Sequence, residues 1–138
     1  MLERLKKDFP LLVQDPYLCY LDNASTTQKP SSVIDAISNA YGTWNANPGR
    51  GIYQLAEMAT QRYEAARAVV AQFIGAKSHE IIFVGNATAG INAIAQGWAR
   101  YHLASGDEIL LSELEHHSNL LPWQRITRET GVRLRFIS

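Results

Sequence analysis

Two adjacent histidines, His116 and His117, follow Glu113 and Glu115 directly after an apolar run in the stretch ELEHHSNLLPW, residues 113–123. Histidine titrates near neutrality, so such a pair could move protons, bind a metal or stack on a flat ligand. A metal needs ligands that converge on one point, whereas adjacent histidines diverge. There is also no HExxH pattern, and His79 and His102 stand alone. No metal site is expected. An acid/base histidine, a histidine stacked on a ring and a solvated pair without a role all remain open, because composition does not separate them.

A second stretch suited to chemistry is Gly85-Asn86-Ala87-Thr88, small residues and a hydroxyl where a helix should begin. Free backbone N–H groups and the helix dipole attract phosphate at such a point. The stretch is neither a Walker loop nor GxGxxG, and an N-cap without a ligand is its commoner meaning. Arg50 lies between Gly49 and Gly51 in the loop NANPGRG, residues 45–51. Flanking glycines let a backbone approach a partner closely, which suits an anion clamp, although exposed arginines are mostly just solvated. The run Asp22-Asn23-Ala24-Ser25-Thr26-Thr27 reads as a capped polar turn.

The elements that must position these residues follow from pattern. Residues 17–21, YLCYL, predict a short buried strand with Cys19 in the core. Pro30-Ser31-Ser32 opens a helix with a serine cap. A longer helix starts near residue 53, with a stripe of Leu55, Ala59, Tyr63, Ala66, Val70 and Phe73, and stops at Gly75. Then one rhythm repeats. Strands are expected at 81–84, 108–112 and 132–137, a helix carries Ile91, Ile94 and Trp98, and another runs from about Asn119 to Gly131 with Pro122 in its first turn. Strand, helix, strand, helix, strand implies crossovers and a mostly parallel sheet, hence an α/β fold. A parallel sheet needs both faces covered, so this reads as the front part of a larger α/β protein. The competing reading is a small domain ending on an edge strand.

Bulk composition narrows the function classes. The 138 residues suffice for one domain with a real core, and 46% are hydrophobic. Thirteen basic residues, scattered along the chain, balance thirteen acidic ones, so no nucleic-acid partner or anionic membrane is expected. One cysteine excludes an intrachain disulfide framework and a Cys-rich metal site, and suits a reducing, cytoplasmic setting. The start, MLERLKKDFPLLV, is amphipathic and lacks the apolar block of a signal peptide.

Taken in order, YLDNASTTQKP (20–30), the loop ending Gly49-Arg50-Gly51, EIIFVGNATAGIN (80–92), GDEILLSELEHHSNLLPWQ (106–124) and GVRLRFI (131–137) resemble the N-terminal part of a SufS-type cysteine desulfurase. That family belongs to the class V aminotransferases, fold-type I enzymes that use pyridoxal 5'-phosphate. The resemblance implies an incomplete fold-type I large domain, with residues 1–50 as arm, short strand, helix and loop, and 51–138 as the first part of the cofactor-binding domain. It implies that His116 stacks on the cofactor ring and assists proton transfer. Ala87 and Thr88 would hold its phosphate, Ala24 would lie near substrate, and Arg50 would reach a substrate site, that of a neighbouring subunit in a homodimer. His117 would be a surface or supporting residue. The parent would convert L-cysteine to L-alanine and an enzyme persulfide, passing sulfur to an acceptor protein for iron–sulfur cluster assembly.

The chain departs from that pattern in three places. Asn86-Ala87-Thr88-Ala89 stands where members usually carry Gly-Thr-Thr-Glu or Gly-Ala-Thr-Glu, and Gly49 stands where a histidine often precedes the arginine. The Schiff-base lysine, the aspartate that pairs with the ring nitrogen and the persulfide cysteine belong to later family sequence. Lys6, Lys7, Lys29 and Lys77 match no Ser-x-His-Lys context. The resemblance therefore implies a chain that is inactive by itself. Selenocysteine lyase, or another class V transferase or lyase, is the alternative within the family. A non-catalytic module that oligomerises or binds a partner through its open sheet edge is the alternative outside it.

Overall fold

The computed structural model describes residues 2–138, which divide into two compact units, the first running to residue 81 and the second covering 82–138.

The first unit is helical. Short helices α1 (Leu2–Lys6) and α2 (Pro10–Gln14) precede α3 (Ser31–Asn39), which continues as a π-helical turn, Ala40–Trp44. The long helix α4 (Gln54–Ile74) ends on Gly75, whose φ of 72° gives the left-handed C-cap expected of glycine there. The N-cap of α3 is Pro30 rather than a serine, and no side chain caps it. Proline is pre-set to the extended conformation that an N-cap adopts, so the serines fall inside the helix instead.

Three expectations for this unit need correction. Residues 17–21 are not a strand. Strand identity requires a hydrogen-bonded neighbour, and none of the described residues pairs with this stretch. Cys19 is accordingly exposed rather than a core residue. On α4 the buried residues are Ala56, Ala59 and Ala71, so only Ala59 of the expected stripe is covered. Small alanines lie where the chain approaches itself closely, and the larger residues of the stripe stay exposed.

The second unit carries the parallel sheet. Helix α5 (Ala87–Ile94) runs through a π-helical turn, Ala95–Ala99, into α6 (Arg100–His102). Strand β1 (Glu108–Ser112), helix α7 (Leu121–Thr130) and strand β2 (Arg133–Ile137) form the expected crossover. The strands pair in parallel, Glu108 opposite Arg133 through Ser112 opposite Ile137. Arg135 Nε lies 2.8 Å from Glu108 Oε1 across the pair. Pro122 sits in the first turn of α7, and Gly131 ends it with φ 79°, both as the sequence indicates. Among the described residues the sheet has two strands rather than three. Residues 81–84 find no ladder partner among the described residues, which again separates β-forming composition from actual pairing.

The core of this unit is small and tight. Ala95, Ala99 and Ile126 are fully buried, with Leu103, Ile109 and Trp123 packed around them. The alanines let α7 come close to the π-turn, and Ile126 fills the space they leave. Truncating Ile126 to alanine should therefore cost roughly 2–5 kcal/mol through lost burial and an unfilled cavity. Urea denaturation of the Ile126→Ala chain measures this directly, and a cost below about 1 kcal/mol, the scale of a tolerated core swap, would show that the contact does not hold the unit together.

Candidate functional site

After β1 the chain turns through residues 113–116 into a 3-10 turn, His117–Asn119, and then α7. Side chains spaced at helical intervals lock this path. Asn119 Nδ2 donates to Glu115 Oε2 at 2.9 Å, and Trp123 Nε1 donates to Asn119 Oδ1 at 2.9 Å. The Ser112 amide donates to Glu115 Oε1 at 3.4 Å. The half-buried Glu115 therefore ties the end of β1 to the turn, and Trp123 ties the turn to the Ile126 core. The Asn119 hydrogen bond, then the Ser112 amide, hold the Glu115 carboxyl below the ordinary glutamate range against a smaller opposing effect of burial.

His116 is exposed at the head of that turn. Its Nδ1 lies 2.9 Å from Ser118 Oγ and accepts the Ser118 backbone N–H at 3.2 Å. His117 points elsewhere, with the ring centroids 6.1 Å apart and the planes tilted by 41°.

The other half of the site is the start of α5. Asn86 is its N-cap, in extended conformation, and its Oδ1 accepts the Ala89 N–H at 2.9 Å. The first amides of a helix lack carbonyl partners within it. With Ala89 capped, the N–H groups of Ala87 and Thr88 remain without a carbonyl partner inside the helix. Asn92 Nδ2 donates to the Thr88 carbonyl at 2.9 Å, one turn along.

These two segments share a cavity of about 460 Å³ lined by Thr88, Asn92, His116, His117, Ser118, Leu121, Pro122 and Arg125. The structure thus brings Thr88 and His116 together, 28 residues apart in sequence. Asn92, Ser118 and Arg125 were not singled out from sequence. Asn92 is four residues from Thr88 and Arg125 four from Leu121, so helical spacing was the available signal. Arg125 Nε is 2.8 Å from Glu129 Oε1, and Arg100 Nε is 3.1 Å from Glu129 Oε2. The Arg125 bond is the largest cause holding the Glu129 carboxyl below its ordinary value, followed, after an opposing burial effect, by the Arg100 charge. Arg125 therefore stands at the rim as an oriented positive charge.

Ala24 and Arg50 belong to the first unit. Ala24 lies in an exposed turn. Arg50 is exposed between Gly49, at φ 86°, and Gly51. The Gly49 amide donates to Thr60 Oγ1 at 2.8 Å, and a Cβ on Gly51 would meet that of Ala56 at 2.3 Å. Glycine is thus required on both sides of Arg50, once for conformation and once for space.

Residues 19–138 match the family described as aminotransferase class-V. The chain belongs to that family. Among curated relatives of this class-V chain, a probable cysteine desulfurase of Vibrio cholerae is 50% identical, an alignment that covers 96% of this chain and 34% of the relative. The chain thus spans about a third of the length of such relatives. An apo cysteine desulfurase of Thermococcus onnurineus superposes with a TM-score of 0.88 at 40% identity, over 99% of this chain and 33% of the other. A second structure superposes with a TM-score of 0.74 at 25% identity, over 95% of this chain and 32% of the other. It is a lysine-to-alanine mutant of C-DES, with glycine covalently linked to its pyridoxal phosphate cofactor.

The start of α5 carries the first-turn amides of Ala87 and Thr88 and the Thr88 hydroxyl, and Thr88 shares one cavity with the His116 imidazole. That donor set fits a phosphorylated aromatic cofactor. Its geometry depends on Glu115 remaining charged. A carboxyl whose folded pKa is depressed contributes stability above its unfolded pKa, and that contribution is lost as pH falls through the folded value. The Trp123 indole N–H resonance should therefore hold steady through the ordinary glutamate range and move only at lower pH. In Glu115→Gln that acid step should vanish, and an unchanged step would assign it to another group.

Proposed function

We propose that this chain corresponds to the N-terminal third of a cysteine desulfurase and forms half of its pyridoxal 5'-phosphate site. One observation carries the reading: a class-V chain, half identical to a probable cysteine desulfurase, gathers Thr88 and His116 around one cavity. The parent acts on L-cysteine, releases L-alanine and retains the sulfur as an enzyme persulfide for an acceptor protein in iron–sulfur cluster assembly. It works as a cytoplasmic homodimer. No described helix is long and apolar enough to cross a membrane.

Each residue has a role that its chemistry supports. The amides of Ala87 and Thr88, with the Thr88 hydroxyl, bind the phosphate dianion at the positive end of α5. Asn86 orients them by capping the next amide. Arg125 adds favourable potential at the rim. The imidazole of His116 lies against the ring face and assists proton transfer. Ala24 lies near a substrate site, and Arg50, carried on its two glycines, takes a carboxylate at the substrate site of the neighbouring subunit. The cofactor, when bound, supplies the electron sink, and the Schiff-base lysine and persulfide cysteine come from the rest of the parent. Selenocysteine as substrate, or another class V lyase or transferase reaction, is the alternative within the family. A non-catalytic partner-binding role has no specific observation in its favour.

Titration of the purified chain with pyridoxal phosphate, followed by absorbance, tests the half-site. Saturable binding is expected. Thr88→Ala should weaken it about tenfold, the scale of one hydrogen bond to a charged group, and His116→Ala should weaken it too. Binding indifferent to both changes would remove the assignment. Incubated with L-cysteine and cofactor, the chain alone should release no alanine, and any turnover would show that the expected lysine and cysteine are dispensable.

A further inference from the structure

The contacts at His116 specify more than its position. A backbone N–H can only donate, so the Ser118 amide at 3.2 Å from Nδ1 requires that nitrogen to present its lone pair. The Ser118 hydroxyl, 2.9 Å from the same atom, serves either ring form, because it can turn to donate. Together they suit one neutral tautomer only, the one with its proton on Nε2. The turn reinforces this choice. His116 is the N-cap of His117–Asn119, so its Nδ1 meets an amide that the turn leaves without a carbonyl.

From this geometry we infer that Ser118 is a positioning residue that holds His116 as its Nε2–H tautomer, so that His116 meets its ligand in the cavity as a hydrogen-bond donor rather than as a base. In the neutral ring the protonated nitrogen has no lone pair to accept with, and the nitrogen that could accept is already engaged by Ser118. The hydrogen bonds from Glu115 through Asn119 to Trp123 keep the turn in this shape, so ring orientation and tautomer are set together. The tautomer stands on these contacts alone. Its consequence for the cofactor rests on the function proposed above.

The test is a long-range proton–nitrogen spectrum of the histidine-labelled chain, recorded at a pH where the imidazoles are neutral, with His116→Ala and His117→Ala samples to assign the rings. The His116 ring should show a protonated Nε2 and a hydrogen-bonded, unprotonated Nδ1. In Ser118→Ala the Nδ1 signal should shift toward the value of an unbonded ring nitrogen, and the share of the Nδ1–H form should rise. Ser118→Thr, which keeps a hydroxyl, should restore the native pattern. A native ring protonated mainly on Nδ1 overturns the inference without need of any variant, as does a Ser118→Ala spectrum identical to the native one in a chain shown to be folded. Pyridoxal phosphate titration of the same samples separates the two claims. A correct tautomer with no cofactor binding refutes the proposed function and leaves the positioning role standing.

Discussion

The packing of Ile126 against Ala95 and Ala99 is the contact on which the candidate site depends. It sets α7 against the π-turn that follows α5, and the cavity is lined from the first turns of those two helices. Two alanines at this contact allow a close approach that larger side chains would prevent. Trp123 lies on the same core and is also the last member of the hydrogen-bonded series from Glu115 through Asn119. A purely apolar packing event thereby fixes where a polar turn sits, and with it the imidazole of His116.

The site is built from two kinds of chain end. One is a helix start, where backbone geometry supplies donors without any charged side chain. The other is a strand end, where the chain leaves the sheet and its side chains must find new partners. Such ends are where α/β proteins hold ligands, because the helix termini and the strand termini meet there. Arg125 adds the only cationic side chain on this cavity's lining among the described residues. Its ion pair with Glu129 fixes its direction while offsetting much of its charge.

The large exposed apolar residues on α4 and residues 81–84 have a common physical origin. Their composition favours burial and extended pairing, yet neither a covering element nor a ladder partner occurs among the described residues. Hydrophobic pattern reports what a segment would gain by burial. Whether it gains it depends on what packs there.

Much of the local structure was legible in the residues themselves. Gly75 and Gly131 mark helix ends because they adopt the left-handed conformation at no steric cost. Pro122 marks a helix start because that position needs no N–H. The run ELEHHSNLLPW placed the histidines between a strand and a helix, and the parallel crossover from 108 to 137 followed from the alternation of elements. What sequence order did not contain was convergence. Asn92, Ser118 and Arg125 joined the cavity only once α5 and α7 had packed, and the burial of Ala56, Ala59 and Ala71 followed from close approach rather than from size. The tautomer of His116 was likewise decided by a backbone amide, whose direction is a property of the folded turn and not of any residue type. Local conformational preferences are short-ranged and so can be read along the chain. Burial and hydrogen-bond partnership are long-ranged, and only the tertiary structure decides them.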